Sequence, residues 1–129
     1  MPDILVEVRS GWLGERKGEF LDAIHAALVA ALHTPPDDKI VRLIEHPRDN
    51  FIIPAGMSEK FTRIQIEMFA GRSVDAKRAL YKEIVRSLTP FGVPANDVKI
   101  VLIEVPKDNV GFRGGQAACD IDLGYSVSV

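Results

Sequence analysis

A proline in second place, Pro2, follows Met1 and leads directly into an alternating apolar segment. With Met1 cleaved, this residue presents a secondary amine at the chain terminus, with one proton to gain or lose and no flexible stem. An α-amino group titrates near about 7.7–8.0 in unstructured peptides. Apolar burial or a nearby cation disfavours its charged form and lowers that value. The neutral amine is a general base near neutral pH, able to take a proton from carbon beside a carbonyl. The charged amine is a general acid or an anchor for an anion. A secondary amine also condenses with aldehydes and ketones to an iminium, an electron sink suited to decarboxylation. A proline in this place is also a merely tolerated terminal residue in many cytoplasmic proteins, and other chemistries find little support. His25 and His33 are eight residues apart rather than four, and neither they nor His46 fall into a metal-ligand pattern. Cys119 has no Cys or His near it in sequence, and neither a Gly-x-x-x-x-Gly-Lys nor a Gly-x-Gly-x-x-Gly motif occurs. The expectation is therefore no metal and no organic cofactor.

The elements that must position Pro2 are written twice. Ile4, Val6, Glu7 and Val8 recur sixty places later as Ile64, Ile66, Glu67 and Met68, and Gly11 recurs as Gly71. Phe20, Leu21, Ile24 and Leu28 recur as Leu80, Tyr81, Ile84 and Leu88. After one deletion, Pro35 and Asp38 match Pro94 and Asp97, and Ile44-Glu45-x-Pro47-x-Asp49-Asn50 matches Ile103-Glu104-x-Pro106-x-Asp108-Asn109. The last match lies outside the periodic core, so it argues for a true internal repeat. Each unit reads β-α-β. Residues 3–9 alternate with the period of a half-buried strand. Residues 16–32 carry apolar side chains at helical spacing, ended by Pro35-Pro36, and residues 40–45 form the second strand. Strand 63–69, helix 74–88 and strand 98–105 repeat the pattern, with Ser73 as N-cap and Asp75 in the first helical turn.

Two right-handed β-α-β crossovers side by side give an α/β (α+β) fold: a four-stranded mixed sheet with two helices on one face. The opposite face would be bare. Leu5, Ile100 and Leu102 cannot all face the helices, so an exposed apolar sheet face is expected, covered by further copies in a closed ring. The repeats span about 2–46 and 62–106 of a single domain of 129 residues. Phe51-Ile52-Ile53-Pro54 reads as a short edge strand. The tail, 107–129, reads as a glycine-rich turn at 111–115 followed by an alternating strand through Ile121, Leu123, Tyr125, Val127 and Val129.

Composition sets outer bounds. Hydrophobic residues make up 47%, enough apolar surface to argue against disorder. The net charge of −2 and the lack of a basic segment argue against a nucleic-acid partner. The single cysteine excludes an intramolecular disulfide and suits a reducing compartment. No apolar run reaches membrane length, and the start lacks the features of a signal peptide, so a cytoplasmic location is expected.

The Met1-Pro2 start, the repeat, the Gly71-Arg72-Ser73 turn opening the second helix and the glycine-rich tail turn together resemble the tautomerase superfamily. Its members expose a proline amine after methionine removal. Helix 1 and the following loop, through Leu32, Pro35 and Asp38, look most like the malonate semialdehyde decarboxylase group, whose members fuse two β-α-β units and form trimers. The resemblance implies Pro2 as the catalytic group, Arg72 as a bidentate carboxylate clamp, and Asp38 as an assisting carboxylate. It also implies a homotrimer and a small carbonyl substrate bearing a carboxylate. The first unit has Gly11-Trp12-Leu13 where the second has Gly71-Arg72-Ser73, which implies one site per chain. Asp97 occupies the place of Asp38 in the second unit, a pattern that also fits ordinary turn chemistry. The decarboxylase group carries a second arginine two places earlier, where this chain has Ala70. Arg113 or Arg9 are the candidates for a second positive charge, and Phe112 and Trp12 for pocket walls. Three functions follow as expectations. The first is a cofactor-independent tautomerase acting on a 2-oxo or enol acid. The second is a decarboxylase or hydratase of a 3-oxo acid such as malonate semialdehyde, and the third a non-catalytic trimeric ligand-binding module.

Overall fold

The alternation and helical periodicity described above build the elements they imply. The computed structural model describes residues 1–129. Strand β1 spans Asp3–Arg9, helix α1 Lys17–Leu32, β2 Ile40–His46, β3 Thr62–Phe69, α2 Val74–Leu88 and β4 Val98–Val105. The sheet order is β2-β1-β3-β4, parallel within each unit and antiparallel where β1 meets β3. Both helices lie on one face. Ile4, Val6 and Val8 of β1 and Ile64, Ile66 and Met68 of β3 are fully buried there, against Phe20, Ile24 and Leu28 of α1 and Leu80, Ile84 and Leu88 of α2. Every residue of these matched sets is one half of the internal repeat. No helix is long and apolar enough to cross a membrane.

Local chemistry fixes the ends. Helix α1 stops at His33, which takes a left-handed conformation (φ 58°) with its N–H donated to the Val29 carbonyl, two residues ahead of the proline pair. The Ser73 hydroxyl accepts the Ala76 N–H at 3.1 Å and caps α2 as its position suggests. Ser73→Ala should lower stability by about 1 kcal/mol, read as a lower thermal midpoint with the helical content of the folded state unchanged.

Two expectations need correction, the strand at 51–54 and the tail strand. The open face carries Leu5, one of the three residues that cannot all face the helices. Ile100 and Leu102 turn toward the helices beside Ile64 and Ile66, so they do not contribute to the open face. That face is amphipathic instead. Glu7 sits at its centre, accepting from His46 Nε2 at 3.1 Å and Arg63 Nη1 at 3.4 Å, while exposed Ile40, Ile44 and Ile103 lie on the outer strands. Phe51–Pro54 forms no strand, and Ile52 is 91% exposed. The tail likewise forms no long strand. It makes a two-residue hairpin, β5 Gly111–Phe112 with β6 Gln116–Ala117, then a single 3-10 turn and irregular chain to Val129. Leu123, Tyr125 and Val127 alternate because they pack over Phe69, Ala118 and Met1, and the Val129 carbonyl accepts the Ser73 N–H at 2.9 Å.

Candidate active site

The sheet topology decides which residues meet. Because β1 runs antiparallel to β3, the start of β1 lies beside the end of β3, with Asp3 opposite Glu67. Because β2 is parallel to β1, the loop entering β2 reaches the same end, with Asp3 opposite Ile40. Pro2, the Gly71-Arg72-Ser73 turn and the Pro35–Asp38 loop therefore converge on one end of the sheet. The tail folds over them.

Pro2 is buried. Its predecessor Met1 lies at the centre of the cluster: the terminal ammonium sits 3.1 Å from Asp38 Oδ2, and the Met1 carbonyl accepts the Tyr125 hydroxyl at 2.7 Å. The Met1 side chain packs on the buried cluster of Phe69, Ala118 and Val127, against which Phe112, Leu123 and Tyr125 also pack. Beside it opens a cavity of about 440 Å³, lined by Pro35, Asp37, Asp38, Phe112, Arg113, Leu123 and Tyr125. That volume lies in the range of small-molecule sites. Arg113 has a left-handed backbone (φ 50°) and carries its guanidinium 5.2 Å from the Phe112 ring centre.

Arg72 is 6% exposed and stands behind this wall rather than on it. Its Nη1 donates to the Phe69 carbonyl at 3.0 Å, while Nε and Nη2 are buried without partners. Those two nitrogens form one edge of the guanidinium, the edge that grips a carboxylate with two parallel bonds. Burial pushes the Arg72 pKa down, opposed by the fields of Tyr125 and Glu104. The turn that holds it needs Gly71. At φ 138° a side chain would be strained, and a Cβ would stand 3.0 Å from the Val127 carbonyl oxygen. Tyr125 joins the groups electrically. Burial raises its pKa, Asp38 adds to the rise, and Arg72 and Arg113 oppose it.

Of the residues singled out in the sequence, Pro2, Asp38, Arg72, Phe112 and Arg113 converge on this end, and Arg9 and Trp12 do not. Arg9 lies at the far end of β1, donating to the Phe51 carbonyl and paired with Glu59 at 2.9 Å. Trp12 packs edge-on against Phe20, 5.5 Å between ring centres, as part of the core. The far end of the sheet is the internal-repeat copy of the site, and it is filled. Asp97 is buried and accepts the Ser58 N–H at 2.9 Å and the Ser58 hydroxyl. Both aspartates donate their own N–H to the proline three places earlier, so the turn is common to the two units. Only Asp38 turns its carboxylate to a chain terminus. Tyr125, Leu123, Asp37 and Pro35 complete the cavity wall without having been singled out as site residues in the sequence. Tyr125 contacts a residue 124 places away, a distance over which no local periodicity carries a signal.

Known proteins share this fold. A family model described as tautomerase enzyme matches residues 38–113. The probable tautomerase YusQ of Bacillus subtilis is 24% identical over 123 residues, covering 91% of this chain and 97% of that protein. Among solved structures, the FG41 malonate semialdehyde decarboxylase inhibited by 3-bromopropiolate is 30% identical with a TM-score of 0.80, covering 87% of this chain and 89% of that one. A fused 4-OT solved as a symmetric trimer is 26% identical with a TM-score of 0.78, covering 92% of this chain and 97% of that one. The matched family model spans more than half of the sequence, and its fold is the one found here: the chain belongs to the tautomerase family.

Proposed function

We propose that the chain, freed of Met1, is a cofactor-independent enzyme that moves a proton on a small 2-oxo or enol carboxylic acid, with the Pro2 amine as acid–base catalyst. The observation that carries this reading is that Pro2 is buried and that Met1, bonded to its nitrogen, is hydrogen-bonded to Asp38 and Tyr125, two residues of a cavity wall that also carries the Arg113 guanidinium. Cleavage of Met1 removes the residue that is hydrogen-bonded to Asp38 and Tyr125 of the cavity wall. The space it leaves joins Pro2 to the cavity. The neutral amine takes a proton from the carbon next to the carbonyl, the electron pair moves onto the carbonyl oxygen, and the protonated amine returns the proton to oxygen or carbon. Arg72 lies behind the wall while Met1 is present; in the Met1-free chain its unpaired Nε–Nη2 edge takes the substrate carboxylate. Phe112 excludes water, and Arg113 adds positive charge at the cavity wall. The test is deuterium uptake at C3 of 2-oxobutanoate, followed by proton NMR in heavy water with the Met1-free protein. Enzyme-dependent exchange is expected, and exchange no faster than in buffer would remove the reading.

A second reading, decarboxylation or hydration of a 3-oxo acid such as malonate semialdehyde, is favoured by the Asp38 carboxylate facing the chain terminus and by the likeness to the FG41 decarboxylase. Ala70 argues against it, standing where that group has its second arginine. The two readings part at Asp38. Asp38→Asn should abolish release of carbon dioxide from malonate semialdehyde, a loss of about 10²-fold or more, yet leave C3 exchange in 2-oxobutanoate within a few-fold of wild type. Equal loss of both would make Asp38 part of the proton-transfer machinery itself.

The oligomer proposed is a homotrimer, built through the amphipathic open face of the sheet and supported by the trimeric fused 4-OT. A cytoplasmic location is proposed from the single exposed free Cys119. Sedimentation equilibrium of the Met1-free protein should give three times the chain mass.

A further inference from the structure

We propose that the Tyr125 hydroxyl is a catalytic hydrogen-bond donor to the substrate's carbonyl oxygen, an inference that rests on Pro2 being the reacting amine. On this reading the Met1 carbonyl oxygen, close to the Pro2 nitrogen, marks where the ketone or enolate oxygen lies in the Met1-free chain. The Tyr125 hydroxyl donates to that oxygen at 2.7 Å. Two covalent bonds separate the oxygen from the Pro2 nitrogen, so hydroxyl and amine lie within about 5 Å of each other. Removing Met1 leaves the hydroxyl without its acceptor, on the cavity wall, next to the nitrogen that accepts the proton.

The rest of the wall supports the assignment. Pro35, Phe112 and Leu123 have no polar side-chain atom, and Asp37 and Asp38 as carboxylates only accept. Tyr125 and Arg113 are thus the two wall residues whose side chains donate. Arg113 is directed over the Phe112 ring. Burial holds the Tyr125 pKa above its ordinary value, with Asp38 adding to this effect and Arg72 and Arg113 opposing it. The phenol therefore stays a donor throughout the neutral range. As Pro2 takes a proton from carbon, charge gathers on the carbonyl oxygen, and a donor fixed in advance at that oxygen lowers the barrier. The substrate class narrows accordingly to compounds with a ketone or aldehyde oxygen within reach of the reacting carbon, as in 2-oxo and 3-oxo acids.

Two acetylenic acids separate this role from packing. In 2-oxo-3-pentynoate, addition of the amine to the triple bond sends the electron pair onto the ketone oxygen. In 3-bromopropiolate no ketone is present. Rates of covalent labelling at Pro2 would be measured by intact and peptide mass spectrometry for Met1-free wild type and Tyr125→Phe. The expected result is labelling by 2-oxo-3-pentynoate slowed about 10²-fold in Tyr125→Phe, with labelling by 3-bromopropiolate within about three-fold of wild type. Unchanged rates with both reagents, or equal slowing with both, would overturn the assignment and leave Tyr125 as wall packing. Wild type that reacts at Pro2 with neither reagent would overturn the proposed function and the Tyr125 role with it.

Discussion

A chain in which the Pro2 nitrogen remains acylated, by Met1 or by an uncleavable residue ahead of it, is expected to lose about 10²–10⁴-fold in kcat for C3 exchange, the usual span for a positioned acid–base group. The loss has two sources. An amide nitrogen has no basic lone pair, so the proton acceptor disappears. Met1 also stands at the cavity wall, packed on the Phe69, Ala118 and Val127 cluster and tied to Asp38 and Tyr125 by hydrogen bonds. The blocked chain should therefore fail to bind substrate as well as fail to turn it over, so KM rises while kcat falls. Pro2→Ala probes the first source alone. Its terminus is still an amine, yet primary, more mobile and more readily solvated, and a smaller loss in kcat with KM nearly unchanged is expected. Progress curves for the three forms, each verified by intact mass, check this. Equal activity in the blocked chain would show that another group moves the proton.

The second large effect belongs to Arg72. Arg72→Ala should lower kcat/KM by about 10²-fold or more, because a buried bidentate clamp contributes two charge-assisted hydrogen bonds. Arg72→Lys should recover little, since a single ammonium cannot replace the Nε–Nη2 edge. A structural role alone predicts a different outcome. Nη1 already donates to the Phe69 carbonyl, so a purely structural arginine would cost stability and leave the kinetics of the surviving folded protein intact. Comparing a 2-oxo acid with its methyl ester separates the cases. The wild-type preference for the free acid should vanish in both variants, and a preference that persists would remove Arg72 from substrate binding.

The residues also show where sequence reading succeeds and where it stops. The strands and helices were legible because each unit buries one face of a regular element: Ile4, Val6 and Val8 repeat every second residue, and Phe20, Ile24 and Leu28 every fourth. The convergence of Pro2, Arg72 and Asp38 was not legible from spacing, since it depends on β1 running antiparallel to β3. Similarity to a known family supplied it. The tail misled because alternation at Leu123, Tyr125 and Val127 has the period of a strand, while the burial behind it comes from Met1 and Phe69 rather than a neighbouring strand. Leu5, Ile100 and Leu102 do not all face the helices, as the sequence required, but which of them turn away was not legible. Counting apolar residues does not reveal which face they point to, and the register places only the first of them on the open side. Arg9 and Trp12 are near the site's repeat copy, not the site, and that distinction requires knowing which end of the sheet each occupies.

Intact-mass spectrometry of the untagged protein as the cell makes it bears most directly on all of this. A mass short by one methionine residue, with a free imino terminus that reacts with 3-bromopropiolate, is the predicted result. A full-length mass, with Met1 still joined to Pro2 and its ammonium on Asp38, would contradict the assignment of Pro2 as the acting amine.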